Sequence, residues 1–265
     1  MSHLKAILWD VDGTLAETER DGHRVAFNRA FEAHGVPWRW GEAEYGELLR
    51  ITGGRERILH DLSRRAEAHS LTDDPEALAR QLHAAKNRFY AELMAADGPP
   101  LRPGVRELMD EARSRGVRMG LTTTTSRSNV DALLRLHLGP RWAESFAVIV
   151  CGEDVRSKKP DPEVYLAALA ALGLGPLEAV AIEDSPGGVA AAREAGVPVV
   201  VTRSAYFMDA TIDEAVAIGP GLHSRAGWRP ALPGTEMLAE ADAGRVTLDD
   251  LMRWCEQMDT VSQPA

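Results

Sequence analysis

Short apolar runs recur along the chain, and amphipathic helical patterns separate most of them. The runs have the length and composition of buried strands, and they cover residues 6–9, 117–121, 146–150, 179–182 and 197–201. Three of the helical patterns end beside a glycine that suits a C-terminal helix cap: residues 105–115, 162–172 and 187–195. Strands that alternate with helices form parallel sheets covered by helices. The sequence therefore predicts an α/β fold with a Rossmann-like parallel sheet core.

One interval breaks this alternation. Residues 10–116 separate the first two apolar runs, and most of this interval carries polar, amphipathic helical patterns: 24–34, 43–49, 56–68 and 75–96. We therefore expect a helical cap domain inserted at residues 18–96, and a core domain formed by residues 1–17 and 97–265. The two connections between these domains would lie at residues 16–18 and 96–102.

The pattern weakens after the last apolar run. Residues 219–234 contain four glycines and three prolines, which predicts irregular structure there. Residues 247–258 have the pattern of a capped amphipathic helix, which we expect to pack against the core.

The balance of charges limits the partners that the chain can bind. Thirty basic residues against forty acidic residues give a net charge of −10. Nucleic acids and anionic membranes attract basic surfaces, so neither is expected as a partner. The two cysteines lack metal-type spacing, no apolar run reaches the roughly 18 residues that span a bilayer, and the strand pattern starts too early for a targeting peptide. These features predict a cytoplasmic enzyme, expected to act as a monomer on a small molecule.

Polar side chains follow four of the predicted strands at their carboxyl ends. The segments are DVDGT from residue 10, TTTT from residue 122, SKKP from residue 157 and EDS from residue 183. Ligands of open parallel sheets bind beyond the carboxyl ends of the strands. The four segments therefore predict one site that holds carboxylates, hydroxyl groups and cations.

The first segment carries two carboxylates, Asp10 and Asp12, followed by Gly13, which permits a sharp turn. The first carboxylate can ligate Mg²⁺ and attack phosphorus, and the second can act as general acid and base on the leaving oxygen. Mg²⁺ prefers hard oxygen ligands, so Asp10, a backbone carbonyl near Asp12 and Asp184 would suffice to hold it. The alternative is an ordinary acidic strand end.

The other three segments offer groups that suit a phosphate and its metal ion. Thr123 and its neighbour Thr124 can hold phosphate oxygens, Thr123 through its hydroxyl and backbone N–H, although a threonine run also has high strand propensity. Lys159 can neutralise the phosphoryl charge, or can be a solvated loop lysine. Glu183 and Asp184 can complete the metal site, or can form a simple strand-ending turn. Because all four signals fall in order at strand ends, the functional interpretation is favoured.

The segments WDVDGT, the Thr123 region, SKKPDP and AIEDSPGG resemble the four ordered motifs of the haloacid dehalogenase-like hydrolases. The resemblance implies that Asp10 is the nucleophile and Asp12 the general acid and base. It also implies that the threonine segment and Lys159 hold the phosphate and that Asp184, supported by Glu183, completes a magnesium site. Trp9 replaces the usual phenylalanine before the nucleophile, and the adjacent Lys158 leaves the identity of the motif lysine ambiguous.

The segments LAETERDGHRVAFNRAF and ELLRITGGRERI resemble CbbY-type enzymes, which are phosphatases of xylulose-1,5-bisphosphate encoded with Calvin-cycle genes and related to β-phosphoglucomutases. The resemblance implies substrate contacts by Glu17 and His23, and binding of a distal phosphate by Arg55 and Arg50. The alternative places GGRER at a solvated helix start and His23 on a helix surface. A phosphomutase, or an inactive sugar-phosphate-binding regulator, also remains open, although the intact Asp10, Asp12, Lys159 and Asp184 argue against a regulator.

Overall fold

A seven-stranded, mostly parallel sheet forms the centre of the protein, whose computed structural model describes residues 4–212, 214–230 and 244–261. The strand order is β3-β2-β1-β4-β5-β6-β7; all neighbours pair in parallel except β6 and β7, which are antiparallel. The strands are β1 Ala6–Trp9, β2 Arg118–Thr122, β3 Val148–Val150, β4 Ala179–Glu183, β5 Val199–Thr202, β6 Ala217–Gly219 and β7 Arg229–Pro230. The predicted Rossmann-like sheet is confirmed.

The central strand β1 shows why its sequence is continuously apolar. All four of its residues are buried, and successive side chains point to opposite faces of the sheet. Ile7 and Trp9 join the hydrophobic cluster on one face, whereas Ala6 and Leu8 join the cluster on the other. Helices therefore cover both faces, as a parallel sheet requires.

Nine α-helices lie in the described ranges. They are α1 Arg24–Ala33, α2 Glu42–Leu48, α3 Gly54–Arg64, α4 Pro75–Asp97, α5 Val105–Ser114, α6 Arg127–Leu138, α7 Glu163–Leu172, α8 Pro186–Glu194 and α9 Leu248–Val261. A π-helical turn, Glu19–His23, leads directly into α1. None of the helices in the described part of the chain is long and apolar enough to cross a membrane.

Helices α1 to α4, all inserted between β1 and β2, form the predicted helical cap. They bury a hydrophobic cluster of their own, whose largest members include Phe27, Trp40, Tyr45 and Ile58. The two chain segments that lead to and from the cap meet at a bridge between Ala16 and Leu101. Domain boundaries after residues 17 and 96 stay a prediction, but the separate cluster gives the cap a core independent of the sheet.

The prediction of irregular structure at residues 219–234 was wrong in part. β6 and β7 form a small antiparallel pair there, and Trp228, just before β7, stacks on Trp254 of α9 at 4.8 Å between ring centroids. Strands of three and two residues are too short to give a sequence pattern, and the tryptophan stack that supports them joins distant segments. Residues 231–234 lie outside the described ranges.

Candidate active site

The carboxyl ends of β1 and β4 meet at one edge of the sheet. Trp9 is in register with Ile182, and the backbone N–H of Asp10 donates to the Ile182 carbonyl at 3.0 Å. The residues that follow Ile182 therefore lie beside Asp10. Asp10, Glu183 and Asp184 are buried, and each offers a carboxylate oxygen within 4.8 Å of the others. The structure thus brings together Asp10, Glu183 and Asp184, three of the four residues predicted to form the metal site; the fourth is Asp12.

Lys159 is the cation within this acidic group. Its side chain is only 5% exposed, and Nζ donates to Asp10 Oδ1 at 2.8 Å and to Glu183 Oε1 at 2.6 Å. Burial by itself lowers the pKa of Lys159, but the two carboxylates raise it well above the ordinary value. The adjacent Lys158 instead extends toward the cap and pairs with Glu56 at 2.7 Å. Of the two neighbouring lysines, Lys159 is therefore the one at the site.

The three carboxylates outnumber the single ammonium group. Burial raises the pKa of Asp10 to about 7 against the opposing effect of Lys159. Burial also raises the pKa of Asp184 well above its ordinary value, and the charges of Asp10 and Glu183 add to that shift. A set of crowded, oxygen-only ligands fits a hard divalent cation such as Mg²⁺. Asp10 and Asp184 are best placed to hold it, because both line the cavity at the strand ends, whereas Glu183 does not line it and accepts from Lys159 and Tyr165 through Oε1.

Asp12 lies at the same strand end, but its side chain is outside the cluster of metal-type carboxylates. Its Oδ1 accepts from Thr18 Oγ1 at 2.6 Å and lies 2.8 Å from His23 Nε2. Burial would raise the pKa of Asp12, but His23 and Thr18 outweigh burial and lower it to about 2. His23 in turn stacks on Tyr90 at 4.3 Å between ring centroids. A metal contact from Asp12 would therefore use its backbone, as the sequence suggested.

Gly13 makes the close approach of the first and fourth segments possible. Its φ is +86°, in the left-handed region that favours glycine. A Cβ added to Gly13 would overlap the Asp184 carboxylate. The glycine is therefore required both by the turn and by the space between the segment from residue 10 and Asp184.

The threonine segment differs from the sequence expectation in one respect. Thr123 is buried beside the site, but its backbone N–H donates to the Val150 carbonyl at 3.0 Å. The ladder between β2 and β3 thus continues one residue beyond β2 and occupies the N–H that was expected to hold phosphate. The Thr123 hydroxyl remains beside the site and accepts from the Thr125 N–H at 3.2 Å.

Two adjoining cavities lie between the strand ends and the cap. The catalytic cavity is lined by residues that include Asp10, Thr123, Lys159 and Asp184. The cationic cavity is lined by residues that include His23, Arg57, His83, Lys86 and Lys158. Asp12, Glu19, Gly53, Arg57 and Thr124 line both. The two cavities therefore form one cleft, with Asp12 at the junction.

The order of these site residues along the chain is that of a known family. The sequence model described as haloacid dehalogenase-like hydrolase matches residues 4–196, which is well over half of the chain. The chain is a haloacid dehalogenase-like hydrolase. The predicted family is confirmed, and with it the assignment of the chain as an enzyme, a phosphatase of the haloacid dehalogenase-like type.

Within this family, CbbY proteins are among the most similar relatives. The hydrolase is 46% identical over 203 residues to the protein CbbY of Rhodobacter capsulatus, which covers 77% of this chain and 87% of the relative. It is 41% identical over 239 residues to a plasmid CbbY of Cupriavidus necator, covering 87% and 91%. A crystal structure of a CbbY mutant from Rhodobacter sphaeroides in complex with xylulose-(1,5)bisphosphate matches with a TM-score of 0.76 and 42% identity, covering 81% of this chain and 93% of that chain. The resemblance to CbbY-type proteins is confirmed.

The residues expected to contact substrate in the hydrolase fall into different places. His23 lines the cationic cavity, whereas Arg50 is exposed at the catalytic cavity and pairs with Glu47 at 2.9 Å. Arg55 is exposed and lines neither cavity. Arg57 lies two residues further along α3, about 200° around the helix axis, and is the arginine that faces both cavities. The placement therefore favours Arg57 over Arg55 as the cap arginine near a ligand.

Glu17, also expected to contact substrate, lines neither cavity. Its Oε1 lies 3.5 Å from Arg102 Nε, and its Oε2 accepts from the Ala205 N–H at 3.2 Å. Glu17 therefore connects the segment leading into the cap with the loop after β5. This position suits a structural role at the connection between cap and core.

Lys86 was missed by the sequence reasoning. It is 3% exposed on α4, and its Nζ lies over the rings of Phe27 and Tyr90, 5.1 and 5.2 Å from their centroids. Within the described residues it forms no hydrogen bond or ion pair, and burial lowers its pKa to about 8. The helical spacing of the sequence does indicate this position. Lys86 is four residues from Leu82 and four from Tyr90, and both of these lie on the buried face of α4.

Proposed function

We propose that the chain is a magnesium-dependent sugar phosphate phosphatase that acts through a phosphoaspartate and dephosphorylates xylulose-1,5-bisphosphate. The observation that carries the proposal is the buried Asp10 carboxylate, held by Lys159 beside Asp184 and open to the catalytic cavity. The similarity to CbbY, of which one structure has xylulose-(1,5)bisphosphate bound, supports the choice of substrate. A place in Calvin-cycle carbohydrate metabolism follows from that choice.

Asp10 begins the reaction by attacking the phosphorus atom of the ester. The bond between Asp10 and phosphorus forms as the bond to the sugar oxygen breaks, while Lys159 keeps Asp10 oriented through the contact with Oδ1. The Thr123 hydroxyl and Lys159 can stabilise the oxygens of the transferring group. A bound Mg²⁺ would neutralise charge between those oxygens and the carboxylates.

Asp12 acts on the other side of the transferred group. Its position at the junction of the two cavities suits a sugar oxygen that lies between them. Asp12 delivers the proton that the leaving alkoxide needs, and the hydrogen bond between Asp12 and His23 keeps the carboxyl group in place. Asp12 then takes a proton from the water that attacks the phosphoaspartate, which releases inorganic phosphate and restores Asp10.

The cationic cavity supports a substrate with a second phosphate group. Lys86, Lys158 and Arg57 all line it, whereas Lys159 lines the catalytic cavity. Cationic side chains that are partly buried in a closed site bind phosphate more strongly than cations in water, because the effective dielectric constant is lower there. A sugar with phosphates at both ends could therefore span the two cavities, with one ester at Asp10 and the other at Lys86.

A phosphate-release assay across sugar monophosphates and bisphosphates tests the proposed function. With Mg²⁺, we expect inorganic phosphate from xylulose-1,5-bisphosphate at a higher kcat/KM than from any monophosphate tested. A phosphomutase would instead convert β-glucose 1-phosphate to glucose 6-phosphate without releasing phosphate. Conversion of that kind, or a lack of turnover on every ester, would contradict the proposal and favour the mutase or the inactive regulator.

Replacement of Lys86 should affect a bisphosphate far more than a simple ester. Lys86→Met removes a buried cation that a second phosphate would contact, so kcat/KM for xylulose-1,5-bisphosphate should fall by about 30- to 1000-fold, or about 2–4 kcal/mol. Turnover of p-nitrophenyl phosphate, which has no second phosphate, should change little. Steady-state kinetics on both substrates measure the difference.

Arg55→Ala is the matched control, because it removes an exposed cation from the same part of the cap without reaching either cavity. We expect it to leave turnover of both substrates nearly unchanged.

Lys86 has a pKa of about 8 and is therefore charged mainly below that pH. The preference for the bisphosphate should decline above about pH 8. Lys86→Arg should preserve the preference at high pH. Equal losses on both substrates in Lys86→Met would assign Lys86 to the cap core.

The compartment and the oligomeric state belong to the same proposal. A cytoplasmic monomer stays the prediction, on the grounds of charge, cysteine content and hydropathy given above. Light scattering coupled to size-exclusion chromatography measures the oligomeric state directly.

A further inference from the structure

Arg102 sits where the second connection from the cap re-enters the core, and its guanidinium group is bound to backbone carbonyls of three separate segments. Nη1 donates to the Gly13 carbonyl at 2.5 Å and to the Thr202 carbonyl at 3.1 Å. Nη2 donates to the Arg203 carbonyl at 2.6 Å and to the Pro220 carbonyl at 3.2 Å. The side chain is 11% exposed and lines neither the catalytic nor the cationic cavity. Arg102 therefore acts on the protein itself and not on a ligand.

The first of these segments controls one side of Asp184. Gly13 follows Asp12 directly, and its Cα lies so close to the Asp184 carboxylate that no Cβ could fit between them. The position of the Gly13 backbone thus sets the separation between the segment from residue 10 and Asp184. Arg102 fixes that position through the Gly13 carbonyl.

The second segment controls another side of the same carboxylate. Ser204 follows Arg203, is 3% exposed, and lies beside Gly13 and Asp184. Arg102 holds the carbonyl of the residue before Ser204, and Glu17, which pairs with Arg102, accepts from the N–H of the residue after it.

We propose that Arg102 is a positioning residue that sets the geometry of the metal-binding carboxylates. By holding the Gly13 and Ser204 segments on two sides of Asp184, it fixes the distance from Asp184 to Asp10, and hence the size of the cation site. The planar fork of arginine suits this task, because it directs several N–H donors to different carbonyls at once. The inference rests on the magnesium-dependent function proposed above. Residues that orient metal ligands typically change metal affinity or activity by about 10- to 100-fold when they are replaced.

The test compares Arg102→Met and Arg102→Lys with Arg106→Met. Arg106 is an exposed arginine four residues away that also donates to a backbone carbonyl, that of His137. Mn²⁺ serves as the probe, and its binding to the folded proteins is measured by electron paramagnetic resonance. We expect the Mn²⁺ dissociation constant to rise by about 10- to 100-fold in Arg102→Met and by a smaller factor in Arg102→Lys, and to stay within about twofold in Arg106→Met.

Kinetics on p-nitrophenyl phosphate provide the second measurement. The Mg²⁺ concentration for half-maximal rate should rise in the Arg102 variants, while KM for the ester at saturating Mg²⁺ stays near the wild-type value. If Arg102→Met does not fold, Arg102→Lys decides by the same criteria, because one ammonium group cannot span the Gly13 and Arg203 carbonyls. Folded Arg102 variants with wild-type Mn²⁺ affinity would overturn the positioning role of Arg102 and leave the magnesium proposal unaffected. A wild-type chain that binds no Mn²⁺ would overturn the magnesium proposal as a whole.

Discussion

Asp10→Asn should remove turnover while leaving the fold intact. The amide is a poor nucleophile and a weaker cation ligand than the carboxylate, and it occupies almost the same volume at the buried end of β1. Replacing the nucleophile of a covalent mechanism should lower kcat by at least about 10⁴-fold. Steady-state phosphate release and circular dichroism, measured on the same preparation, report activity and fold.

Asp21→Asn is the matched control for this substitution. Asp21 is exposed, pairs with the adjacent Arg20, and lines neither cavity, so its replacement should leave kcat unchanged. Mass spectrometry of a rapidly quenched reaction should detect phosphate on the wild-type chain and none on Asp10→Asn. A folded Asp10→Asn variant with near wild-type turnover would rule out the phosphoaspartate.

Removal of divalent cations should abolish activity, and Mg²⁺ should restore it. Without a cation, the carboxylates of Asp10 and Asp184 repel the phosphate dianion that must approach them, and Lys159 alone cannot offset both. We expect activity to fall to the assay background with a chelator and to recover fully with excess Mg²⁺. Full turnover in the presence of chelator would show that the carboxylates serve another purpose.

The same cation should change how stability depends on pH. In the metal-free fold, burial raises the pKa of Asp10 from 3.8 to about 7, so the folded state binds a proton that the unfolded chain releases at lower pH. This contribution to stability is fully present below pH 3.8 and is lost as the pH rises through about 7. Mg²⁺ replaces the proton, so the Mg²⁺-induced rise in Tm should be larger at pH 8 than at pH 5. Thermal melts with and without Mg²⁺ at both pH values measure this change in Tm.

The core strands and their polar ends could be predicted because both signals are local. A strand buried on both faces must be continuously apolar, as Ala6–Trp9 is, and the residue after it must be the first that can reach a ligand. Asp10, which follows β1, and Asp184, which follows β4, could be predicted for that reason. The bond from the Thr123 N–H to Val150 was not, because the point where a ladder between two strands stops depends on both strands.

The cap residues were harder to predict because their roles depend on rotation about a helix axis. Arg55 and Arg57 look equivalent in the segment GGRERI, and only the start of α3 at Gly54 decides which one faces the cleft. Lys86 reads as one more surface lysine until the buried face of α4 is known. The contacts of Arg102 reach residues about one hundred positions away in both directions, and no local pattern reports them.

The outer edge of the sheet bears on a property unrelated to catalysis. Within the described residues, it is formed by β7, which runs antiparallel to β6 and contains Arg229 and Pro230. Proline has no backbone N–H to offer to an approaching strand. β6 is paired with β5 on one side and with β7 on the other, so its backbone is not an edge of the sheet. Pro230 therefore removes one of the donors through which a strand of a neighbouring molecule could join the sheet on this side.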